Sequence, residues 1–259
     1  MSRPFSDLRS RPLPDMERVR ARRTRISTIA IDTEGAAFHE PLVSAKDFGI
    51  DGRNYYAHDR NPPYWIAAPG ARGELLLRRG AAERLRAVNA RLAPEGLKLF
   101  VYDAWRPRAV QAFFHDVWVP QELQRRRPEL SGAALKEEVG KYWAAPSASP
   151  ERPAPHATGG AVDITLAWSD GAGVLFMGSL FDDASAISHA AHFEAGDDSS
   201  FSAEEARANR RILYWTMTEA GFVNHPNEWW HFSYGDQAWA AQTGAEKALY
   251  GLAATGADE

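Results

Sequence analysis

The chain of 259 residues contains no cysteine. That absence removes disulfide frameworks, thiolate metal sites and cysteine nucleophiles together, so any bound metal has to be held by His, Asp or Glu. Long apolar runs are missing too: no stretch approaches the roughly 18 apolar residues that cross a bilayer, and no membrane span is expected. Nor is there an overall excess of positive charge. The formal net charge is −4, with acids and bases interspersed. Such a surface has no broad basic face to neutralise phosphates, which argues against a nucleic-acid partner. The local exception is the N-terminus, where Arg3, Arg9, Arg11, Arg18, Arg20, Arg22, Arg23 and Arg25 crowd together. A secretory leader would follow them with an apolar segment of roughly 7–15 residues, but residues 26–31 are interrupted by Ser and Thr. The expectation is a cytoplasmic protein. Residues 1–30 read as a basic, partly disordered or peripheral arm, 31–245 as one domain and 246–259 as a flexible tail.

A chain of this length buries a core without covalent staples. From Gly80 to Leu92 the residues Ala81, Leu85, Val88 and Leu92 fall on one helical stripe, stopped by Pro94 and Gly96. Residues 97–102 are β-prone and end at Asp103. A helix then opens at Pro107, with Val110, Phe113, Phe114 and Val117 on one face. The proline-rich stretch 146–155 reads as an extended loop leading into His156, and Ala161 to Trp168 as a buried strand closed by Ser169-Asp170-Gly171. Ser202 and Glu205 form a capping box for a helix that ends at Gly221, and Glu228 to Tyr234 form a final strand after the Pro226-Asn227 turn. These elements predict one α+β domain, with a central antiparallel sheet carrying the site and helices packed against it.

With cysteine absent, the metal candidates are eight histidines and the carboxylates. His156 and Asp163 stand seven residues apart, separated by Gly159 and Gly160, which can fold the backbone tightly enough for both side chains to reach one point. A third ligand comes from Glu228-Trp229-Trp230-His231. A catalytic zinc ion takes three protein ligands of this kind and keeps a fourth position for water. Taken singly, each residue has a commonplace alternative. A lone His near a strand is more often a hydrogen-bonded structural residue, Asp163 serves equally as a turn or cap acid, and Glu-x-x-His on a helix is the di-iron pair of four-helix bundles. Here the two tryptophans favour a strand, and the combination carries the argument.

The motifs resemble those of the zinc D-Ala-D-Ala dipeptidases, which include the vancomycin-resistance dipeptidases, within a larger family of zinc DD-peptidases. Besides the His156/Asp163 phrase and Glu228-Trp229-Trp230-His231, the family's Asp-Ala-Tyr-Arg-Pro is matched by Asp103-Ala104-Trp105-Arg106-Pro107. Its Met-Gly-Ser/Thr-x-Phe-Asp is matched by Met177-Gly178-Ser179-Leu180-Phe181-Asp182. The likeness covers roughly residues 75 to 235. It implies one Zn2+ per chain on His156, Asp163 and His231, and a small dipeptide as substrate. Water on the zinc would attack the peptide carbonyl, with Glu228 as general base and acid, Arg106 stabilising the oxyanion and Asp182 holding the substrate ammonium. Arg106 has an alternative use in a salt bridge to Asp103, and Asp182 in capping a helix from Ala184.

The chain departs from the family pattern where Ala154 and Pro155 replace serines before the first ligand, which bears on dipeptide specificity. Asn54-Tyr55-Tyr56 only faintly echoes an N-terminal family motif, so core packing is the default use of Tyr55, Tyr56 and Tyr64. His189 and His192, about one helical turn apart, suit packing or surface better than a second metal pair. Two other functions compete: a DD-carboxypeptidase or cell-wall endopeptidase acting on longer muropeptides, and a non-catalytic zinc-containing module that binds a partner in its groove.

Overall fold

A computed structural model describes residues 5–147, 149–195 and 198–253, apart from the side chains of residues 141 and 142. Arg3 and residues 254–259 of the expected tail lie outside them. Two helices, α1 (Phe5–Ser10) and α2 (Met16–Arg23), precede the short strands β1 (Ala30–Ile31), β2 (Leu42–Ser44), β3 (Asp51–Gly52) and β4 (Leu76–Arg78). Then come α3 (Arg79–Leu92), β5 (Leu97–Asp103), α4 (Arg108–Phe113), α5 (Val119–Arg126), α6 (Gly132–Tyr142), β6 (Ala161–Trp168) and α7 (Phe201–Glu219). The hairpin β7 (Val223–His225) and β8 (Glu228–Ser233), the helix α8 (Gln237–Thr243) and the strand β9 (Lys247–Ala248) complete the order.

The result is a single α+β domain. Its main sheet has the order β3-β5-β6-β8-β7. Pairing is antiparallel throughout β5-β6-β8-β7, as the sequence predicts, but β3 joins β5 in parallel and makes the sheet mixed. The reason is topological: β4 and α3 lie between β3 and β5 in sequence, and a connection of that length carries the chain back to start again in the same direction. On β5, Leu97, Leu99, Val101 and Asp103 alternate inward, whereas β6 is buried on both faces from Ala161 to Ala167 because it lies at the sheet's centre. The stripe Ala81, Leu85, Val88 and Leu92 of α3 joins the core as its spacing predicts.

Two helical details differ from expectation. A single π turn over Phe114–Trp118 sits between α4 and α5. The extra residue rotates the next turns of helix, so Val110 and Phe114 are buried while Val117 turns out to solvent and Val119 and Leu123 take over the apolar face. At α7 the capping residue is Ser200 rather than Ser202: its hydroxyl accepts from the Ala203 amide at 3.2 Å, and Glu205 instead accepts from Asn209 at 2.8 Å. Two serines two positions apart offered two frames, and the earlier one wins.

The N-terminal segment is helical and packed. Leu8 is fully buried, the Trp215 indole N–H donates to the Arg11 carbonyl at 3.0 Å, and the Arg11 guanidinium lies 3.3 Å above the Trp215 ring centre. At the other end of the chain β9 pairs with β1, and Tyr250 is buried. No helix among the described residues is long and apolar enough to cross a membrane.

Candidate metal centre and active site

Directly paired residues on adjacent strands share a face of the sheet. Asp103 on β5 faces Asp163 on β6, and Asp163 faces His231 on β8. One row of three side chains therefore crosses three strands. A register irregularity between Val101 and Asp103 brings Asp103 into this row. His156 enters from a single 3-10 turn, Pro155–Thr158, immediately ahead of β6. Gly159 closes that turn at φ +73, a conformation that disfavours any side chain. Its carbonyl accepts from the Arg78 amide at 2.8 Å, and Gly160 passes so close to the Tyr234 carbonyl that a Cβ there would collide with it.

Three ligand atoms meet. His156 Nε2 lies 3.1 Å from His231 Nδ1 and 3.3 Å from Asp163 Oδ2, and His231 Nδ1 lies 3.1 Å from Asp163 Oδ1. All three residues are buried. His156 Nδ1 sits 2.8 Å from the Ala104 carbonyl, which can only accept, so Nδ1 carries the proton and Nε2 presents its lone pair to the cluster. Burial alone would raise the Asp163 pKa, but His156 and His231 beside it reverse that and hold the carboxylate well below its usual range. Two imidazole nitrogens and an anionic oxygen thus converge, a donor set that suits a divalent cation. Ligand bonds of roughly 2.0–2.2 Å in tetrahedral geometry set donor atoms about 3.3 Å apart, which matches the three separations. Among the described residues this is the one group of three or more such side chains close enough to hold a metal, and His189 and His192 are not part of any.

Glu228 is the first residue of β8, directly after the Pro226-Asn227 turn. Its Oε2 lies 3.6 Å from His231 Nδ1 and its Oε1 3.8 Å from His225 Nδ1. Burial raises its pKa, against His231 and with help from Asp163 and Asp182. Asn224 on the partner strand donates to the Glu228 and His231 carbonyls at 3.1 and 3.0 Å, fixing the backbone between the two.

Arg106 makes the Asp103 salt bridge and reaches the cluster as well. Its Nε donates to Asp103 at 2.8 Å, one terminal nitrogen to Gln111 at 2.8 Å, and the other to Asp163 at 3.2 Å and the Tyr56 hydroxyl at 3.3 Å. The rings of Tyr56 and Trp143 lie 4.8 and 4.9 Å from its guanidinium carbon. Burial opposes the charge, yet Tyr56, Asp103, Asp163 and Asp182 raise its pKa further still. Asp103 also lies 3.3 Å from His156 Nδ1, so it orients both a ligand and the cation.

Asp182 is not a helix cap. The next helical turn, Ala186–Ser188, has Ser185 at its start, and Asp182 sits at φ +59 in the left-handed region. Its Oδ2 accepts from the hydroxyls of Tyr56 at 2.6 Å and Tyr64 at 2.8 Å. Desolvation, with Asp163, pushes its pKa up to about 7 against these hydrogen bonds and Arg106. The loop carrying it is pinned by Arg210 of α7, which donates to the carbonyls of Met177, Ile187 and His189 at 2.7, 2.9 and 2.8 Å. Core packing, the default use of Tyr56 and Tyr64, understates them. Nothing in the sequence distinguishes a buried tyrosine whose hydroxyl meets Asp182 from one that merely fills space.

A family profile described as "D-ala-D-ala dipeptidase" matches residues 56–247. A D-alanyl-D-alanine dipeptidase of Synechocystis sp. is 37% identical over 198 residues, 70% of this chain and 79% of that protein. A D-alanyl-D-alanine dipeptidase of Enterococcus faecium is 30% identical over 157 residues, 60% and 71% of the two chains. Among solved structures, VanYB in complex with D-Alanine-D-Alanine aligns with 74% of this chain and 92% of its own, at 16% identity and a TM-score of 0.41.

Proposed function

The chain belongs to the D-Ala-D-Ala dipeptidase family of metallopeptidases, and from that membership we propose that it is a zinc-dependent dipeptidase hydrolysing D-Ala-D-Ala or a related short dipeptide. The observation that carries the reading is the convergence of His156 Nε2, His231 Nδ1 and the Asp163 carboxylate within 3.1 to 3.3 Å. These three residues would hold one Zn2+ per chain. When bound, zinc supplies a Lewis acid and a nucleophile available near neutral pH.

The remaining steps fall to the chain's own side chains. Glu228, close to His231 and with a raised pKa, takes a proton from the attacking water and returns one to the leaving amine. Arg106, itself buried, fixed by Asp103 and Gln111 and flanked by Tyr56 and Trp143, offers a preorganised cation to the oxyanion. Asp182 receives the substrate's free ammonium, its Oδ2 already occupied by the two tyrosine hydroxyls. A partly buried carboxylate there favours a free dipeptide over an N-acylated muropeptide end and so favours the dipeptidase over the carboxypeptidase.

The test is a panel of D,D, L,L, mixed and N-acylated dipeptides on metal-defined protein, with metal content measured in parallel. Turnover of a free dipeptide at one zinc per chain is expected; preference for the acylated compounds would give the function to the carboxypeptidase class. Cytoplasmic residence belongs to the same proposal and is read by cell fractionation.

A further inference from the structure

The turn that delivers Glu228 is gripped from outside the span shared with the family. Arg20 of α2 directs both Nε and a terminal nitrogen at the Asn227 side-chain oxygen, at 3.1 and 3.0 Å. Asn227 immediately precedes Glu228, and its own amide points back to His225 Nδ1 at 3.4 Å. On the opposite side the Ala190 amide donates to the Pro226 carbonyl at 3.0 Å. One turn further along α2, Arg23 carries a charge close enough to Glu228 and Asp236 to feel both. The helix is itself anchored. Asp15 caps its start, Met16 is buried, Arg22 donates to the Gln242 carbonyl at 3.2 Å, and Arg11 stacks on Trp215.

From these contacts we propose that α2 is a brace for the β7–β8 turn and that Arg20 is a positioning residue for Glu228. The proposal rests on the peptidase reading for its effect on turnover. It gives three of the N-terminal arginines partners elsewhere in the chain: Arg11 on Glu219, Arg20 on Asn227 and Arg22 on the Gln242 carbonyl. The physical logic is that Glu228 begins its strand, where its pairing with His225 and the Asn224 contact to its carbonyl hold the main chain only at the last rung of the ladder. Arg20 adds a restraint from outside the hairpin, on the residue immediately before Glu228.

Arg20→Ala, Arg20→Lys, Asn227→Ala and the double variant Arg20→Ala/Asn227→Ala are compared with wild type in kcat, KM, zinc content and melting temperature. Arg18→Ala serves as the control, because Arg18 lies on the same helix with its side chain 86% exposed. Arg20→Ala is expected to lower kcat about tenfold, less than the roughly hundredfold cost of a 1 Å misplacement, with KM within about twofold and zinc retained. Lysine restores part of the rate, since an ammonium still donates to Asn227. The double variant is no worse than the poorer single one, as expected of residues acting through one contact. Unchanged kcat in Arg20→Ala overturns the proposal, and so do additive losses in the double variant or an equal loss in Arg18→Ala. Amide exchange over residues 223–231 reads the brace without turnover: faster exchange in Arg20→Ala supports it and unchanged exchange overturns it. A wild type that cleaves no dipeptide would sink the peptidase reading, while the exchange experiment would still judge the brace.

Discussion

Asp103 stands directly opposite Asp163 across the β5–β6 ladder, both carboxylates buried, and the Arg106 guanidinium bridges them at 2.8 and 3.2 Å. Two acids this close in a dry interior repel each other unless a cation is held between them. Arg106 is therefore structural, and in the proposed mechanism it also serves the oxyanion. Removing one partner of a buried charge pair costs roughly 3–5 kcal/mol, and losing a preorganised oxyanion donor costs about 100- to 1000-fold in kcat. Arg106→Ala is expected to show both losses, and metal binding should recover part of the stability by neutralising Asp163. Urea unfolding with and without zinc, beside single-turnover rates, separates the two.

Glu228→Gln keeps the shape of the side chain and removes its basicity. Zinc content is expected to be unchanged, because His156, Asp163 and His231 are intact, while kcat falls by about 100- to 10,000-fold. Loss of zinc together with activity would instead mark Glu228 as a ligand.

If Asp182 receives the substrate ammonium as proposed, the pH dependence of substrate binding is expected to follow its pKa, which is pushed up to about 7 by burial and by Asp163. The carboxyl must be ionised to pair with an ammonium, and it becomes protonated as pH falls through its pKa. KM for a free dipeptide is therefore expected to rise as pH is lowered from about 7. An N-acylated dipeptide lacks the ammonium and should show no such limb. In Asp182→Asn the limb disappears and KM for the free dipeptide stays high at every pH.

Metal removal should cost stability if zinc is held as proposed, because the ion would bind a cluster formed only in the folded chain. At a free zinc concentration one hundred times the dissociation constant, the gain is about 2.7 kcal/mol. A chelator is expected to lower the melting temperature of wild type and to leave that of His231→Ala unaffected. Equal shifts in the two proteins would remove His231 from the ligand set.

What could be read in the sequence was local, and what could not depended on distant segments meeting. His156 and Asp163 lie seven residues apart around two glycines, and His231 belongs to a strand recognisable from its aromatics, so short-range rules suffice to nominate them. Asp103 was visible only as a salt-bridge partner for Arg106. Its place in the row with Asp163 and His231 comes from a register irregularity that no local pattern announces. Tyr56 and Tyr64 reach Asp182 from more than a hundred residues away, and aromatic composition gives no sign of where a hydroxyl will point. The π turn at Phe114–Trp118 escaped for a related reason: the apolar spacing fits an ideal helix up to Phe114, and the shift becomes evident only where Val117 turns out and Val119 turns in. The N-terminal arginines read as a solvated run because their partners, Asn227 and Gln242 among them, lie at the far end of the chain.

Arg210 joins the longest helix to the loop that presents Asp182, through three main-chain oxygens and at the expense of its own hydration, which brings its pKa down to about 9. Such a linkage leaves that loop little freedom to melt alone. When α7 loosens, the loop's anchor goes with it, so heat or denaturant should release Asp182 from its place in the same cooperative step that dismantles the helix.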